Sequence, residues 1–349
     1  MKKTKNNFLL LQKPKALFFV IAVSIIFTVF ASVIFTGCNS TTTAKAEETK
    51  TSETQAQKET AAETTAAETT AAETTAASAE NAVSFEGKTL VISGSDTMLQ
   101  VSNAWADAFM SKFSGEITVN GGGSGVGIAD LINKANDLAN ASRQMKQEEI
   151  DQAKANGVEP EEHTVLYDGI SIILSKNLDI KELTIEQLSK IYTGKAKNWK
   201  EFGGPDAKIV AISRDSSSGT YEYFLERVVQ LNKKVKDNDF GENILRLPSN
   251  SDIAQQVANN DNCIGYIGLG YLQSALGTVN VLAVKADDGS AAVLPDVDTV
   301  KDKSYPIARG LYIYSNKNNF SDFAKAYIDF VLSDEGQAIG AEVGFVPIK

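Results

Sequence analysis

Between Ser213 and Phe224 the chain reads SRDSSSGTYEYF: one guanidinium, a run of hydroxyls and a glycine directly ahead of an apolar, helix-like segment. Three further loops share this chemistry. Ser93, Ser95 and Thr97 fall in SGSDTM, Ser124 falls in GGGSGVG between Gly121 and Gly127, and Ser142 with Arg143 falls in NASRQM. Glycine lets backbone N–H groups approach a ligand closely, and the first amides of a helix lack intrahelical acceptors and sit at the positive end of its dipole. Hydroxyls add short donors, and the planar fork of arginine matches two oxygens of a tetrahedral oxyanion. With Arg214, Ser216, Ser217, Ser218, Gly219 and Thr220 in the fourth loop, the set points to capture of a small dianion. One such loop is weak alone, because turns use glycine for steric reasons and a serine-rich cap needs no ligand. Four in one chain form a pattern.

The same residues exclude other chemistries. GGGSGVG lacks the Lys-Ser/Thr ending of a nucleotide P-loop and the G-x-G-x-x-G spacing of dinucleotide sites. His163 is the sole histidine, in the acidic stretch VEPEEHTVLY, which reads as a solvent-exposed loop. Without a G-x-S-x-G elbow, a Ser-His-Asp hydrolase has no parts to recruit, so no enzyme is expected. No Cys/His cluster offers a transition-metal site, and no cofactor is implied.

The loops must be held by something, and their flanks say what. KTLVISGSDTM is a short apolar strand entering a polar turn, and LQVSNAWADAFMSKF places Val101, Trp105, Phe109 and Phe113 four apart on one helix face. EITVNGGGSGVGIADLINKA repeats the unit, with Ile117 and Val119 in a strand and Ile128, Leu131, Ile132 and Ala135 on a helix face. VLYDGISIILSK is a nearly continuous apolar strand interrupted at Asp168-Gly169, and LTIEQLSKIYTG opens with a Thr184 to Gln187 capping box. KIVAIS then leads into the opening stretch and a helix burying Tyr221, Phe224, Leu225 and Val228. SNSDIAQQVANNDNCIGYIGLGYL reads as a helix capped at Ser251 and then a strand, and the chain closes with strand IARGLYIYSN, helix FSDFAKAYIDFVLS and the tail GFVPI. Strand, polar loop and helix alternate throughout, which is an α/β fold with its ligand loops at strand ends.

Residues 1–37 carry five lysines and no acid, and end in the twenty-residue run ALFFVIAVSIIFTVFASVIF followed by Thr36 and Gly37, so they read as an export signal or an anchor. FTGC resembles the lipobox of bacterial lipoproteins, which implies lipidation at Cys38; Phe35 stands where that family carries leucine, and an uncleaved membrane anchor is the alternative. Either way the remainder lies at the outer face of the cytoplasmic membrane. Residues 38–84 contain the pentad AAETT three times from Ala61 to Thr75 and cannot bury enough apolar surface to order, so they read as a disordered tether. The five lysines of the signal cancel the tether's net acidity, which leaves the folded part with the −10 of the whole chain and argues against nucleic acid as a partner. Cys263 is the only other cysteine and suits a small buried position at a strand start.

In family order and spacing, these pieces resemble the phosphate-binding proteins of bacterial ABC phosphate importers, over roughly Gly87 to Lys349. The matching residues are Thr97 in the first loop, Ser124 in GGGSGVG, and Arg214, Ser218, Gly219 and Thr220 in an Arg-x-x-x-Ser-Gly-Thr element; IGYIGLGY and GFVPI also match. The resemblance implies a two-lobe periplasmic-binding-protein fold of type II, with lobe one from 85–168 and 306–349, lobe two from 169–305, and hinge crossings near Asp168-Gly169 and Tyr305-Pro306. It implies inorganic phosphate as ligand, closure of the lobes on it, and a monomer serving the membrane permease subunits of an ABC importer. Another oxyanion, such as sulfate, molybdate or a phosphonate, is the variant reading, and an extracytoplasmic sensor or adhesion component the alternative role. Many family members carry an aspartate in the third loop to accept the proton of monohydrogen phosphate, and here Arg143 takes that place. The acceptor must then lie elsewhere, with Asp168 the first candidate and Asp96 and Asp215 behind it, or selectivity for phosphate is weaker than in those members. Asp168 either meets the ligand or binds backbone amides at the strand crossing; Arg143 either forks onto the anion or pairs with Glu148 or Glu149. Ser95 and Ser142 complete the expected contacts.

Overall fold

A computed structural model of the protein describes residues 84–349. The signal, the tether to residue 83 and the lipidation expected at Cys38 lie outside the described residues.

The first repeating unit is β1 (Thr89–Gly94) followed, after a 3-10 turn at Asp96–Met98, by α1 (Leu99–Phe113). Val101, Trp105 and Phe109 on that helix are fully buried, as the spacing of four predicts. β2 (Glu116–Gly122) and α2 (Ser124–Ile132) form the second unit, and β3 (Leu138–Ala141) with α3 (Gln147–Ala155) the third. α2 stops at Ile132 because Lys134 turns into the left-handed region at φ 59°, so Ala135 leaves the apolar face and is exposed, contrary to its expected place in the core.

β4 (Pro160–Leu174) is one uninterrupted strand of fifteen residues. Asp168 and Gly169 do not break it, because both pair in register with β10 (Ala308–Asn316). Its first half runs beside β10 and its second half beside β8 (Cys263–Gly268), so the strand passes from one sheet into the next. Beyond it lie β5 (Glu182–Thr184), α4 (Ile185–Tyr192), β6 (Val210–Arg214) and α5 (Gly219–Phe224), which continues as a π turn to Val229. β7 (Leu245–Leu247), α6 (Asn250–Asn259), α7 (Leu269–Ala275), β9 (Asn280–Lys285) and α8 (Val297–Lys301) complete this portion, before α9 (Asp322–Val331), α10 (Asp334–Glu342) and β11 (Val346–Pro347) return to the first. The strand order is β2-β1-β3-β10-β4-β8-β6-β7. β1, β2 and β3 are parallel, as are β6, β7 and β8, while β10 and β4 run antiparallel to their neighbours.

Local sequence rules account for most element ends. The Thr184 hydroxyl accepts from the Gln187 amide and the Gln187 side chain accepts from the Thr184 amide, the capping box read in the sequence. α6 is capped by Ser249, whose hydroxyl accepts from the Asp252 amide; Ser251, the expected cap, lies two residues too late and is exposed.

The apolar interior divides where β4 changes sheets. One cluster holds Ile170, Ile172, Ile173 and Leu174 with Tyr192, Trp199, Phe224, Tyr266 and Ile307, and two others hold residues on the far side of Asp168, including Trp105, Phe109, Leu166, Leu311 and Phe330. Each half thus has its own core, and the Asp168-Gly169 step lies between them. In the first half Gly127 lets α2 press on β1: a Cβ there would collide with the Ser93 carbonyl. Gly127→Ala should therefore lower the unfolding free energy by about 1–3 kcal/mol. The urea midpoint measures it, and an unshifted midpoint would show that helix and strand have room to spare.

Candidate functional site

The four loops converge where the halves face each other. On one side stand the Asp96–Met98 turn, the start of α2 and the residue after β3; on the other stands the start of α5. The Ser218 hydroxyl caps α5, accepting from the amides of Thr220 (3.1 Å) and Tyr221 (3.4 Å). The start of α5 abuts the first half because residue 219 is glycine: a Cβ there would collide with the Ser124 hydroxyl and lie 2.7 Å from that of Ser142. Ser124 in turn accepts from the Ser142 amide at 3.0 Å, and their hydroxyls lie 3.2 Å apart. Thr97 and Thr220, from opposite halves, share a hydroxyl–hydroxyl bond of 2.8 Å. Further bonds bridge the halves, from the Gly125 amide to the Ser217 carbonyl (3.0 Å) and from the Ser217 hydroxyl to the Gly122 carbonyl (3.0 Å).

Arg214 is 1% exposed at the end of β6. Its Nε and Nη2 donate to the Pro248 carbonyl at 3.1 and 2.5 Å, and Nη2 lies 3.3 Å from Asp96 Oδ2. The backbone behind it is fixed by the buried Tyr266 phenol, which accepts from the Arg214 amide (3.2 Å) and bonds the Ser213 hydroxyl (2.7 Å). Burial pushes the Tyr266 phenol up, so it stays protonated. Arg214 Nη1 and the Ser95 hydroxyl are buried with no protein partner, which leaves two donors beside the converging loops.

Asp168 is fully buried, and both its oxygens are engaged. Oδ1 accepts from the Leu269 amide at the start of α7 (2.9 Å), and Oδ2 accepts from Arg309 Nη2 (2.9 Å) and Nε (3.2 Å). Burial raises its carboxyl, and the Arg309 guanidinium pulls the other way. Asp96 and Asp215 are engaged too. Asp96 Oδ2 accepts from the amide and side chain of Asn250 across the cleft, and Asp215 Oδ1 from the amide and hydroxyl of Ser217.

Arg309 was not among the residues singled out from the sequence. It reaches Thr220 Oγ1 at 2.8 Å, Thr97 Oγ1 at 3.4 Å and the Ser142 carbonyl at 2.8 Å, so it sits amid the residues that were. A signal existed: the one charged residue in a largely apolar strand, with Asp168 directly opposite in register.

Arg143 goes the other way. Its guanidinium, 8% exposed, forks onto Glu149 at 2.8 and 2.7 Å and pairs with Glu222 of the opposite half, so the structure commits it to acids at the cleft rim. Lys146 pairs with the same Glu222. His163 departs from expectation as well: it lies within β4, half-buried, with Nε2 at 3.0 Å from the Ser315 hydroxyl, and burial lowers its pKa.

Comparison with known proteins decides the family. A model described as a PBP superfamily domain matches residues 60–335. A phosphate-binding protein PstS of Borreliella burgdorferi is 34% identical over 77% of this chain and 91% of its own. The chain belongs to the PstS phosphate-binding protein family. Another PstS, from Staphylococcus saprophyticus, is 33% identical over 73% of this chain and 79% of its own. Among solved structures, a Clostridium perfringens protein assigned as a phosphate ABC transporter substrate-binding protein, with bound phosphate, is 34% identical and superposes with a TM-score of 0.65, covering 75% of this chain and all of that one. An ABC-type phosphate transport receptor of Vibrio cholerae gives 27% identity and a TM-score of 0.59 over 74% of this chain and 99% of its own. This PstS-family chain has the two-lobe periplasmic-binding-protein fold.

Two predictions follow from the rim of the site. Arg143→Met leaves Glu149 half-buried without its guanidinium and Glu222 with Lys146 alone, and should cost about 1–3 kcal/mol of stability by urea unfolding; wild-type stability would free this guanidinium for the ligand. Burial alone would raise the Glu149 carboxyl, but the Arg143 fork and the Lys146 amide outweigh it and hold it below its ordinary 4.5. Its contribution is present above the unfolded value and lost as pH falls through the folded one. The stability gap between wild type and Glu149→Gln should therefore shrink below about pH 4, and a gap independent of pH would contradict it.

Proposed function

We propose that the protein captures inorganic phosphate between its two lobes and delivers it to the membrane subunits of an ABC importer, without catalysing a reaction. The observation that carries this reading is the convergence of hydroxyls, helix-start amides and buried guanidinium from both halves on one spot. In this reading Thr97, Ser124 and Ser142 of the first lobe and Ser218, Gly219 and Thr220 of the second hold the phosphate oxygens, with Ser95 and the free Nη1 of Arg214 adding donors. Residues 85–168 and 306–349 move as one lobe against 169–305, about Asp168-Gly169 and Tyr305-Pro306. The ligand drives closure because only the closed form offers both sets of donors at once.

Lipid at Cys38 and the tether of residues 38–84 keep the lobes at the outer face of the cytoplasmic membrane, within reach of the permease. The net charge of −10 cannot gather anions from a distance, so affinity comes from short-range dipoles in a cleft poor in water, and salt should affect it little.

Titration calorimetry with phosphate, sulfate, molybdate and methylphosphonate tests the proposal. One phosphate per chain is expected, with the other anions competing poorly, and small-angle scattering should show compaction on binding. Gly219→Val, whose side chain would strike Ser124, should fold but bind no phosphate and stay open. Heat from sulfate or molybdate with none from phosphate would overturn the assignment.

A further inference from the structure

The geometry points to Arg309, held in place by Asp168, as a second guanidinium of the anion site, with Asp168 serving as its positioning residue and not as the acceptor of a ligand proton. The inference rests on the phosphate reading above and adds a residue and a role to it. Arg309 is 6% exposed and stands on β10 just past the second strand crossing. It meets loops of both lobes, through the Ser142 carbonyl and Thr97 on one side and Thr220 on the other. Its position is over-determined, because Asp168 takes both Nε and Nη2 while the Tyr223 ring lies 5.7 Å from the guanidinium carbon.

Proton accounting gives the consequence. Thr220 Oγ1 accepts from Arg309 Nη2, and one of the two threonine hydroxyls donates to the other. Whichever does so, one hydroxyl hydrogen is left over, and a neighbouring positive charge polarises it toward donation. The cluster therefore keeps one hydroxyl donor for an anion. Asp168 already has one oxygen on the Leu269 amide and the other on the guanidinium, so its charge is spent on orienting Arg309. A carboxylate that instead faced the ligand would reject sulfate, which has no proton to give. The two roles thus predict opposite consequences of neutralising it.

The test is calorimetry of phosphate and sulfate against wild type, R309M, R309K and D168N, each checked for wild-type circular dichroism. R309M should lose at least about thirtyfold in phosphate affinity, the lower end for truncating one member of a buried charge pair. R309K keeps the charge but not the fork and should fall between. D168N should weaken phosphate by about tenfold, the size of one lost charged hydrogen bond, with sulfate no better a competitor than before. Sulfate binding that emerges in D168N would identify Asp168 as the acceptor and overturn the inference. So would wild-type affinity in R309M. Should R309M not fold, R309K decides, since a single ammonium that bound phosphate as well as the fork does would exclude the role. A wild-type protein that takes up no phosphate would instead sink the underlying reading.

Discussion

The buried pair of Asp168 and Arg309 is the interaction on which the architecture turns. A charge pair removed from water is tolerated only if its geometry is good and its remaining lone pairs and protons are satisfied. Here the two residues face each other across adjacent strands, and the carboxylate takes two guanidinium nitrogens and the first amide of α7. The outer guanidinium nitrogens go to the Ser142 carbonyl and the Thr220 hydroxyl. Satisfying one pair thus ties together β4, β10, α7 and loops from both lobes. The strand crossing, an otherwise arbitrary place in a sheet, becomes the place where the anion loops must meet.

That arrangement reconciles an acidic protein with an anionic ligand. Within the site each carboxylate is matched by donors: Asp96 by Asn250 and Arg214, Asp168 by Arg309 and Leu269, Asp215 by Ser217. Their negative potential is absorbed locally, while Arg214 Nη1 remains without a protein partner. Surface acids contribute little over a Debye length of about 8 Å in physiological salt. The closed contact is possible because Gly123 and Gly219 carry no side chain where the loops of the two lobes touch.

The fold was largely legible because each strand–loop–helix unit announces itself twice, by apolar spacing and by a glycine or hydroxyl run. The loop residues were legible for the same reason, since Ser124, Ser218, Gly219 and Thr220 are contiguous with the helices they start. What sequence reading missed depends on pairing across distance. Arg309 is the one charged residue in its strand, and only the antiparallel register brings it opposite Asp168, 141 positions earlier. Seen without that partner, Asp168 looks available to a ligand. Arg143 shows the converse: its neighbour Glu149 was a visible alternative, but Glu222 reaches it from the opposite half of the molecule, far along the chain. Ser251 and Ala135 failed on smaller grounds, a cap two residues early and a left-handed turn that ends a helix sooner than its apolar spacing does.

If the lobes close on the ligand as proposed, the rim accounts for how closure can be reversed. Across the cleft the lobes exchange neutral hydrogen bonds at Gly125, Ser217, Thr97 and Thr220, each worth about 1 kcal/mol net because water offers the same partners when the lobes part. Lys146, nearly half exposed, adds little to its pair with Glu222, and the Arg143–Glu222 pair trades solvation against attraction. In the proposed motion opening also parts Asp96 from Arg214 and Asn250, whereas Asp168 and Arg309, paired across adjacent strands of one lobe, need not separate. An anion that meets donors from both lobes supplies the remaining bias, and a partner that favours the open form can remove it. A tighter rim would hold the ligand longer and release it worse; a looser one would leave the binding-competent form too rare.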